Sequence, residues 1–279
     1  MARLGMCLAD GKTPGIPQDL PSAAAWFRRA AEGGHLTCMM KYAACLGSGR
    51  GVDLDLIESF KWYFDAAATG DLTALWCVAS HYEEGDGVDV DEHEAFAWMK
   101  RAADASFPEA QCDIGRYYND GVGTDVDVDA AVEWWGRAAA QGHSGALIAL
   151  GDYYLGGDSS GHAMAFDYFT RAAAARDPDD TAHFSLGVCY QHARGVDEDA
   201  RKAAACFSRG AEAGHVDAMN ALADCLKRGY GVELNVEEAA KWRVLADESD
   251  DEDGGGDGDE ADVDDEDGED AADEDEEGL

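Results

Sequence analysis

The stretch HYEEGDGVDVDEHEAFAWMKRAADA, residues 81–105, contains the parts of a helix-turn-helix unit. Gly87 interrupts the helical pattern, Asp91 follows four residues later, and Trp98 lies seven residues beyond Asp91. Asp is a preferred N-cap, because its carboxylate accepts hydrogen bonds from the first free amides of a helix. The stretch therefore predicts a first helix over residues 72–84, a turn over residues 85–91 and a second helix over residues 92–105.

The tryptophan of this stretch belongs to a series with a period of about 36 residues. The seven anchors of the series are Trp26, Trp62, Trp98, Trp134, Tyr168, Cys206 and Trp242. A single pair of helices of this size cannot bury its apolar face, so the units must stack on one another. We therefore predict an all-α fold, an α/α superhelix (solenoid) of right-handed sense built from seven helix-turn-helix repeats over residues 1–246.

Two further series have the same period. Eleven residues before the anchors stand Gly15, Gly51, Gly87, Gly123, Gly157, Gly195 and Gly231, for which we expect a positive φ in a tight turn. Seven residues before the anchors stand Asp19, Asp55, Asp91, Asp127, Gly161, Asp199 and Asn235, which we predict to be N-caps. Glu58, Glu94 and Glu238 occupy the capping-box position three residues after their caps. Gly34, Gly70, Gly142 and Gly214 are predicted to end second helices in the left-handed conformation.

Small residues share the helical face of the anchors, at three residues before and four residues after each one. This pattern favours tryptophans in a closely packed core. The alternative is a row of exposed rings that stacks on a ligand.

Charge divides the chain at residue 247. The 279 residues carry a net charge of -38, and residues 247–279 contain 21 acidic residues and no basic one. This segment has too few apolar residues to offset the entropy of ordering, so we predict a disordered acidic tail over residues 247–279. The acidic balance argues against direct binding to nucleic acid or an anionic membrane. Because we find no signal peptide and no transmembrane segment, we expect an intracellular protein, cytoplasmic or nuclear.

The repeat unit resembles the Sel-one-like (Sel1-like) repeat family, which is related to the tetratricopeptide repeat. The resemblance rests on Leu150-Gly151, Tyr82, Gly85-Asp86-Gly87-Val88, Asp91, Ala95, Trp98 and Ala102-Ala103. It implies a curved superhelix that binds partner proteins on a concave face lined by the first helices. It also implies an adaptor without catalytic activity.

Chemical sites were sought among the cysteines, acids and histidines. Six of the eight cysteines fall in predicted first helices, which favours reduced, buried thiols over a repeated disulfide. Cys189 and His192 alone are too few for a zinc site. The Asp125/Asp127/Asp129 ladder fits helix capping better than a calcium loop. His35, His143 and His215 recur just past second helices, where a histidine can meet the negative helix end. We expect no catalytic, cofactor-binding or metal-binding residue.

Three functions remain open. The first is a scaffold or adaptor that binds partner proteins through the repeats. The second is an acidic tail that binds or chaperones basic proteins, with a simple solubilising role as its alternative. The third is a regulatory fragment of a larger multidomain protein, since the first repeat begins in the middle of a helix. Within the tail, Ser249-Asp250-Asp251-Glu252 resembles a target of acidophilic kinases.

Overall fold

The structure is a computed structural model that describes residues 2–13, 15–175 and 180–253. Over these ranges the chain forms fourteen α-helices and no strand, which confirms the predicted all-α fold. The first helices of the repeats are α1 (Ala2–Asp10), α3 (Leu36–Ser48), α5 (Leu72–Glu84), α7 (Pro108–Asp120), α9 (Ser144–Gly156), α11 (Asp180–Gln191) and α13 (Val216–Arg228). The second helices are α2 (Leu20–Ala31), α4 (Leu56–Ala67), α6 (Glu92–Asp104), α8 (Val128–Ala140), α10 (His162–Ala173), α12 (Ala200–Glu212) and α14 (Val236–Asp253). Consecutive helices make the main contacts, as expected of a solenoid.

In every repeat except the fifth, whose N-cap is Gly161, the N-cap residue holds the turn at both ends. In the third repeat, the Asp91 carboxylate accepts from the backbone N–H of Glu94 at 3.0 Å, while the Asp91 N–H donates to Tyr82 O at 2.9 Å. The N–H of Asp19, Asp55, Asp127, Asp199 and Asn235 donates to a first-helix carbonyl in the same way. A capping-box glutamate needs that N–H, so the predicted reach-back bond does not form. Glu94 instead accepts from the indole of Trp98 at 3.1 Å.

Two structural constraints require glycine in the turns, a positive φ and a close approach to the preceding repeat. The sequence predicted only the first. All except Gly157 have a positive φ, between 63° and 81°. In five repeats the glycine also presses on the preceding repeat: a Cβ built at Gly123, for example, would lie 2.0 Å from the carbonyl oxygen of Glu92, the first residue of α6. The expectation was wrong for Gly157, which has φ -76° and ψ -156°. The fifth turn is shorter by two residues, 157–161, so its backbone follows a different path.

In five of the seven repeats the residue that follows the anchor is buried, and most anchors themselves lie at the edge of the core, which refines the prediction of an anchor core. Phe27, Met99, Trp135, Phe169 and Phe207 are buried in this position. Of the anchors that are tryptophans, Trp134 is buried and the other four are half-buried. The flanking small residues, such as Ala95 and Ala102, are fully buried. Helical geometry places the centre of the small-residue face between the anchor and the next residue, so the anchor lies at its edge.

Basic side chains cover the outer side of several anchor rings. The guanidinium carbon of Arg101 lies 4.2 Å from the ring centre of Trp98, and that of Arg137 lies 4.2 Å from the ring centre of Trp134. A cation over an aromatic face is attracted by the negative charge of that face. The anchors therefore lie at the boundary between core and surface, and they do not form an open stacking platform.

Helix α14 continues past the predicted boundary at residue 246. It ends at Asp253, so the first seven residues of the predicted tail belong to the last helix. Ser249 lies within this helix, and its hydroxyl donates to Leu245 O at 2.9 Å. The rest of the predicted disordered tail, residues 254–279, lies outside the described residues.

Candidate functional site

The first helices of the second to seventh repeats share one face that is largely accessible to solvent. Two positions four residues apart define this face, and we call it the first-helix surface. Its members are Met40 and Ala44, Trp76 and Ser80, Cys112 and Arg116, Ile148 and Asp152, Phe184 and Val188, and Asn220 and Asp224. All except Ile148 reach solvent at least in part. Residues four apart lie on the same side of a helix, so the face continues from repeat to repeat.

A charged hydrogen-bond network joins the third and fourth repeats across this surface. Trp76 Nε1 donates to Asp113 Oδ2 at 2.6 Å. Glu83 accepts from Arg116 Nη2 at 2.8 Å and from the Tyr117 hydroxyl at 2.6 Å. Burial raises the pKa of Asp113, although the bond from Trp76 opposes the shift. Each of these acids has a donor from the neighbouring repeat, so the network fixes the relative position of α5 and α7.

Asp152 of α9 occupies the corresponding position in the fifth repeat. It lies in a depression of about 580 Å³ whose lining includes Tyr153 and Met164. Although much of its side chain is exposed, the surrounding protein removes part of its hydration and raises its pKa. Within the described part of the chain no hydrogen bond or ion pair to this carboxylate is found. Asp152 is thus the acid on the first-helix surface that is open to a cationic side chain from outside.

A groove of about 660 Å³ lies between α11 and α13. Half-buried Phe184, Val188 and Ala221 give it an apolar floor. Polar and charged side chains surround the floor, among them Asp217, Glu198, Asp224, His192 and Arg228. An apolar floor with a polar rim is the usual anatomy of a site that receives an apolar side chain of a protein partner.

The thiols on and beneath this surface are poor nucleophiles. Burial raises the pKa of Cys77 to about 11 and that of Cys112 to about 12. A reactive cysteine needs the opposite shift, because the thiolate is the nucleophile. No disulfide joins any of the eight cysteines, all of which the structure describes. Cys189 is buried while His192 is exposed, so this sequence pair does not meet as a ligand pair.

The three histidines past the second helices have a different role from the predicted one. His143 Nδ1 accepts from the Ala146 N–H at 3.2 Å, and His215 Nδ1 accepts from the Ala218 N–H at 3.2 Å. Both residues are N-caps of the following first helix; His35 has the same position without a side-chain bond. Each bond satisfies a first-turn amide that has no partner within its own helix.

The described ranges contain neither a cluster of metal ligands nor a membrane span. In residues 2–13, 15–175 and 180–253, no three His, Cys, Asp or Glu side chains come together as metal ligands would. Over the same ranges, no helix has the length and apolar character that a membrane span requires.

Comparison with known proteins agrees with the geometry of the repeats. A Sel1 repeat protein from Oxalobacter formigenes has 27% identity and a TM-score of 0.80, over 89% of this chain and 100% of that one. A protective antigen of uropathogenic Escherichia coli with an SLR fold has 29% identity and a TM-score of 0.72, over 90% of this chain and 54% of that one. An F-box protein of Arabidopsis thaliana is 40% identical over 78 residues, which cover 27% of this chain and 21% of that protein. The chain therefore spans about a fifth of the plant protein and about half of the E. coli antigen.

Seven segments of the chain match the description "Sel1 repeat". They are residues 1–35, 37–71, 74–107, 108–143, 144–177, 181–215 and 216–242. Each matched segment contains one pair of helices, in agreement with the seven predicted units. The chain is a member of the Sel1 repeat family, whose helical repeats are generally protein-interaction scaffolds.

Proposed function

We propose that this chain is a non-catalytic scaffold or adaptor that binds partner proteins on its first-helix surface. The observation that carries the proposal is the groove between α11 and α13, with its apolar Phe184 and Val188 floor and its charged rim. Asp152 adds an unpaired carboxylate along the same surface, suited to a lysine or arginine of the partner. The partner segment would thus place an apolar side chain in the groove and a basic one near α9.

The chemistry of the surface supports a binding role over a catalytic one. Asp113 and Glu83 already accept hydrogen bonds from neighbouring side chains. The buried thiols have raised pKa values. A catalytic thiol needs a lowered pKa, and every cysteine with a resolved shift has its pKa raised by burial instead.

The test is affinity capture from extracts of the native cell, with full-length protein as bait and mass spectrometry as readout. Ala221→Arg fills the groove, and Ala240→Arg places the same charge on the exposed face of α14 as a matched control. Thermal melting first establishes that both variants fold. We expect a partner that is retained at moderate salt, lost with Ala221→Arg and kept with Ala240→Arg. The proposal is wrong if every captured partner survives Ala221→Arg.

The acidic C-terminal segment is a second candidate, favoured by its 21 acids without a basic residue. A bait of residues 1–253 tests it, because this length keeps helix α14 whole. Partners that bind only the full-length bait and leave as salt rises would assign binding to residues 254–279, since exposed charge contacts are screened by salt. Phosphorylation of Ser249 is a further hypothesis, which intact-mass analysis of the cellular protein tests directly.

A regulatory fragment of a larger protein is a third candidate. It is supported by the partial coverage of the plant and E. coli relatives. A longer transcript in the source organism that encodes additional domains would favour this function.

A further inference from the structure

The turns of the second, third and fourth repeats expose an aliphatic side chain at the same position. Leu54 is 62% exposed, Val90 61% and Val126 62%. Each lies eight residues before its anchor, and Leu234 in the seventh repeat is 65% exposed at the equivalent place. Isolated exposed aliphatic residues are common on protein surfaces. Three of them in successive stacked repeats form a row, which calls for a different explanation.

Aspartates stand on both sides of each aliphatic residue in the row. The pairs are Asp53 and Asp55, Asp89 and Asp91, and Asp125 and Asp127, all exposed. The second member of each pair is the N-cap of the next helix. The first member makes no hydrogen bond or ion pair with any described residue. We call residues 53–55, 89–91 and 125–127 the acidic-aliphatic ridge.

The ridge is rigid and continuous, because its turns are fixed to one another. Gly87 presses on the carbonyl of Leu56, and Gly123 presses on that of Glu92, so each turn rests on the start of the preceding second helix. His93 Nδ1 also donates to Gly123 O at 2.9 Å. Leu56 and Glu92 each come two residues after an aliphatic residue of the row, so these contacts place each aliphatic side chain next to the following turn.

The charge of the ridge excludes two occupants. Residues 254–279 carry many acids and no base, so this segment of the chain is repelled. A second copy would bring the same ridge or another part of a chain with a net charge of -38. Opposite charge favours encounter and binding, which leaves a basic partner.

We infer that the acidic-aliphatic ridge binds an extended basic segment of a protein partner, at a surface separate from the first-helix surface. In a polyproline II segment, which has three residues per turn and rises about 3.1 Å per residue, every third side chain lies on the same side, at intervals of about 9 Å. The bound segment has apolar residues at every third position, which contact Leu54, Val90 and Val126. Lysines and arginines between them pair with the flanking aspartates.

A phage-displayed library of random twelve-residue peptides, selected on the full-length protein, tests this inference. Enriched peptides are synthesised, and their affinity is measured for the wild type and for the variant Leu54→Ser, Val90→Ser, Val126→Ser. We expect basic peptides with apolar residues three apart and at least about tenfold weaker binding to the variant. The variant Asp53→Asn, Asp89→Asn, Asp125→Asn keeps every N-cap and should bind more weakly, with less dependence on salt.

Matched controls separate the ridge from general effects of polarity and charge. Val244→Ser with Leu245→Ser removes exposed aliphatic surface elsewhere, and Asp65→Asn with Asp197→Asn removes exposed charge elsewhere. Neither control should change peptide affinity. The inference is overturned if no peptide is enriched, or if the enriched peptides bind the serine variant as well as the wild type. Peptides lost only with Ala221→Arg would support the groove and contradict the ridge.

Discussion

At the scale of single residues, the size of one first-helix side chain matches the size of the ring it faces. A Cβ built at Gly115 would lie 2.4 Å from Trp135, one at Gly151 2.3 Å from Phe169, and one at Gly187 2.4 Å from Phe207. In the third repeat, where the facing residue is Met99, the first helix has Ala79 instead. The glycine of the Leu-Gly motif is therefore a packing requirement of the neighbouring ring.

The variant Gly151→Ala should destabilise the protein by about 1–3 kcal/mol, because the added methyl group overlaps Phe169. This loss should exceed the gain of about 0.5–1 kcal/mol that alanine normally gives over glycine inside a helix. Gly136→Ala in α8 is the matched control, since nothing lies within 4 Å of its built Cβ, and it should be stabilising. Urea unfolding measures both. Equal stabilisation by the two variants would refute the packing argument.

Asp152 should give stability a pH dependence that Asp152→Asn removes. Its pKa is raised above 3.8 by burial. A raised folded-state pKa favours folding below the unfolded pKa, and that contribution is lost as pH rises through the folded pKa. Asp152→Asn should therefore gain stability relative to the wild type between about pH 4 and pH 7. Urea midpoints at several pH values test this, with exposed Asp65→Asn as control. An advantage that is independent of pH would contradict it.

At the scale of elements, a turn serves two repeats in five of the seven cases. Its N-cap fixes the second helix of its own repeat, and its glycine fits against the start of the preceding second helix. The turn therefore sets the position of one pair of helices on the next. The fifth repeat lacks this contact at Gly157, whose built Cβ meets nothing nearer than 3.7 Å.

Substitution of a turn glycine should therefore lower the free energy of unfolding more than substitution of a glycine that only ends a helix. Gly142 has a positive φ of 85°, and no atom lies within 4 Å of a Cβ built there. Gly142→Ala should therefore destabilise the protein by about 1–2 kcal/mol through backbone strain alone. Gly123→Ala adds an overlap with Glu92 O and should destabilise by a further ~1–3 kcal/mol. Thermal and urea unfolding compare the two. Equal destabilisation would show that the contact between repeats contributes nothing.

At the scale of the whole molecule, stacked repeats create long surfaces. Repulsion between the acidic residues lowers the stability of the stack. The first-helix surface and the acidic-aliphatic ridge each take residues from several repeats, so neither exists within one pair of helices. The net charge of -38 makes the folded chain repel itself.

Added salt should therefore stabilise the protein. Raising sodium chloride from about 10 to about 300 mM should increase Tm by several degrees, because the Debye length falls below the spacing of many of the acids. The chain 1–253 lacks many of these charges and should show a smaller increase. Differential scanning calorimetry of both chains makes the comparison. A Tm that is unchanged or lowered by salt would show that repulsion between the acids has no net effect on stability.

The sequence by itself determined the number of repeats, the helix pairs and the N-caps, because a backbone requirement such as the cap at Asp91 is local and recurs with the period. It also predicted the protein-binding class through the family resemblance. The burial of the residue after five of the anchors depended on packing, since neighbouring helices decide which edge of a face is buried. The groove at Phe184 and the ridge at Val90 were missed for the same reason. The signal for the ridge was present, as an aliphatic residue between acids at a constant offset, but only the stacking of repeats brings these residues into one exposed row.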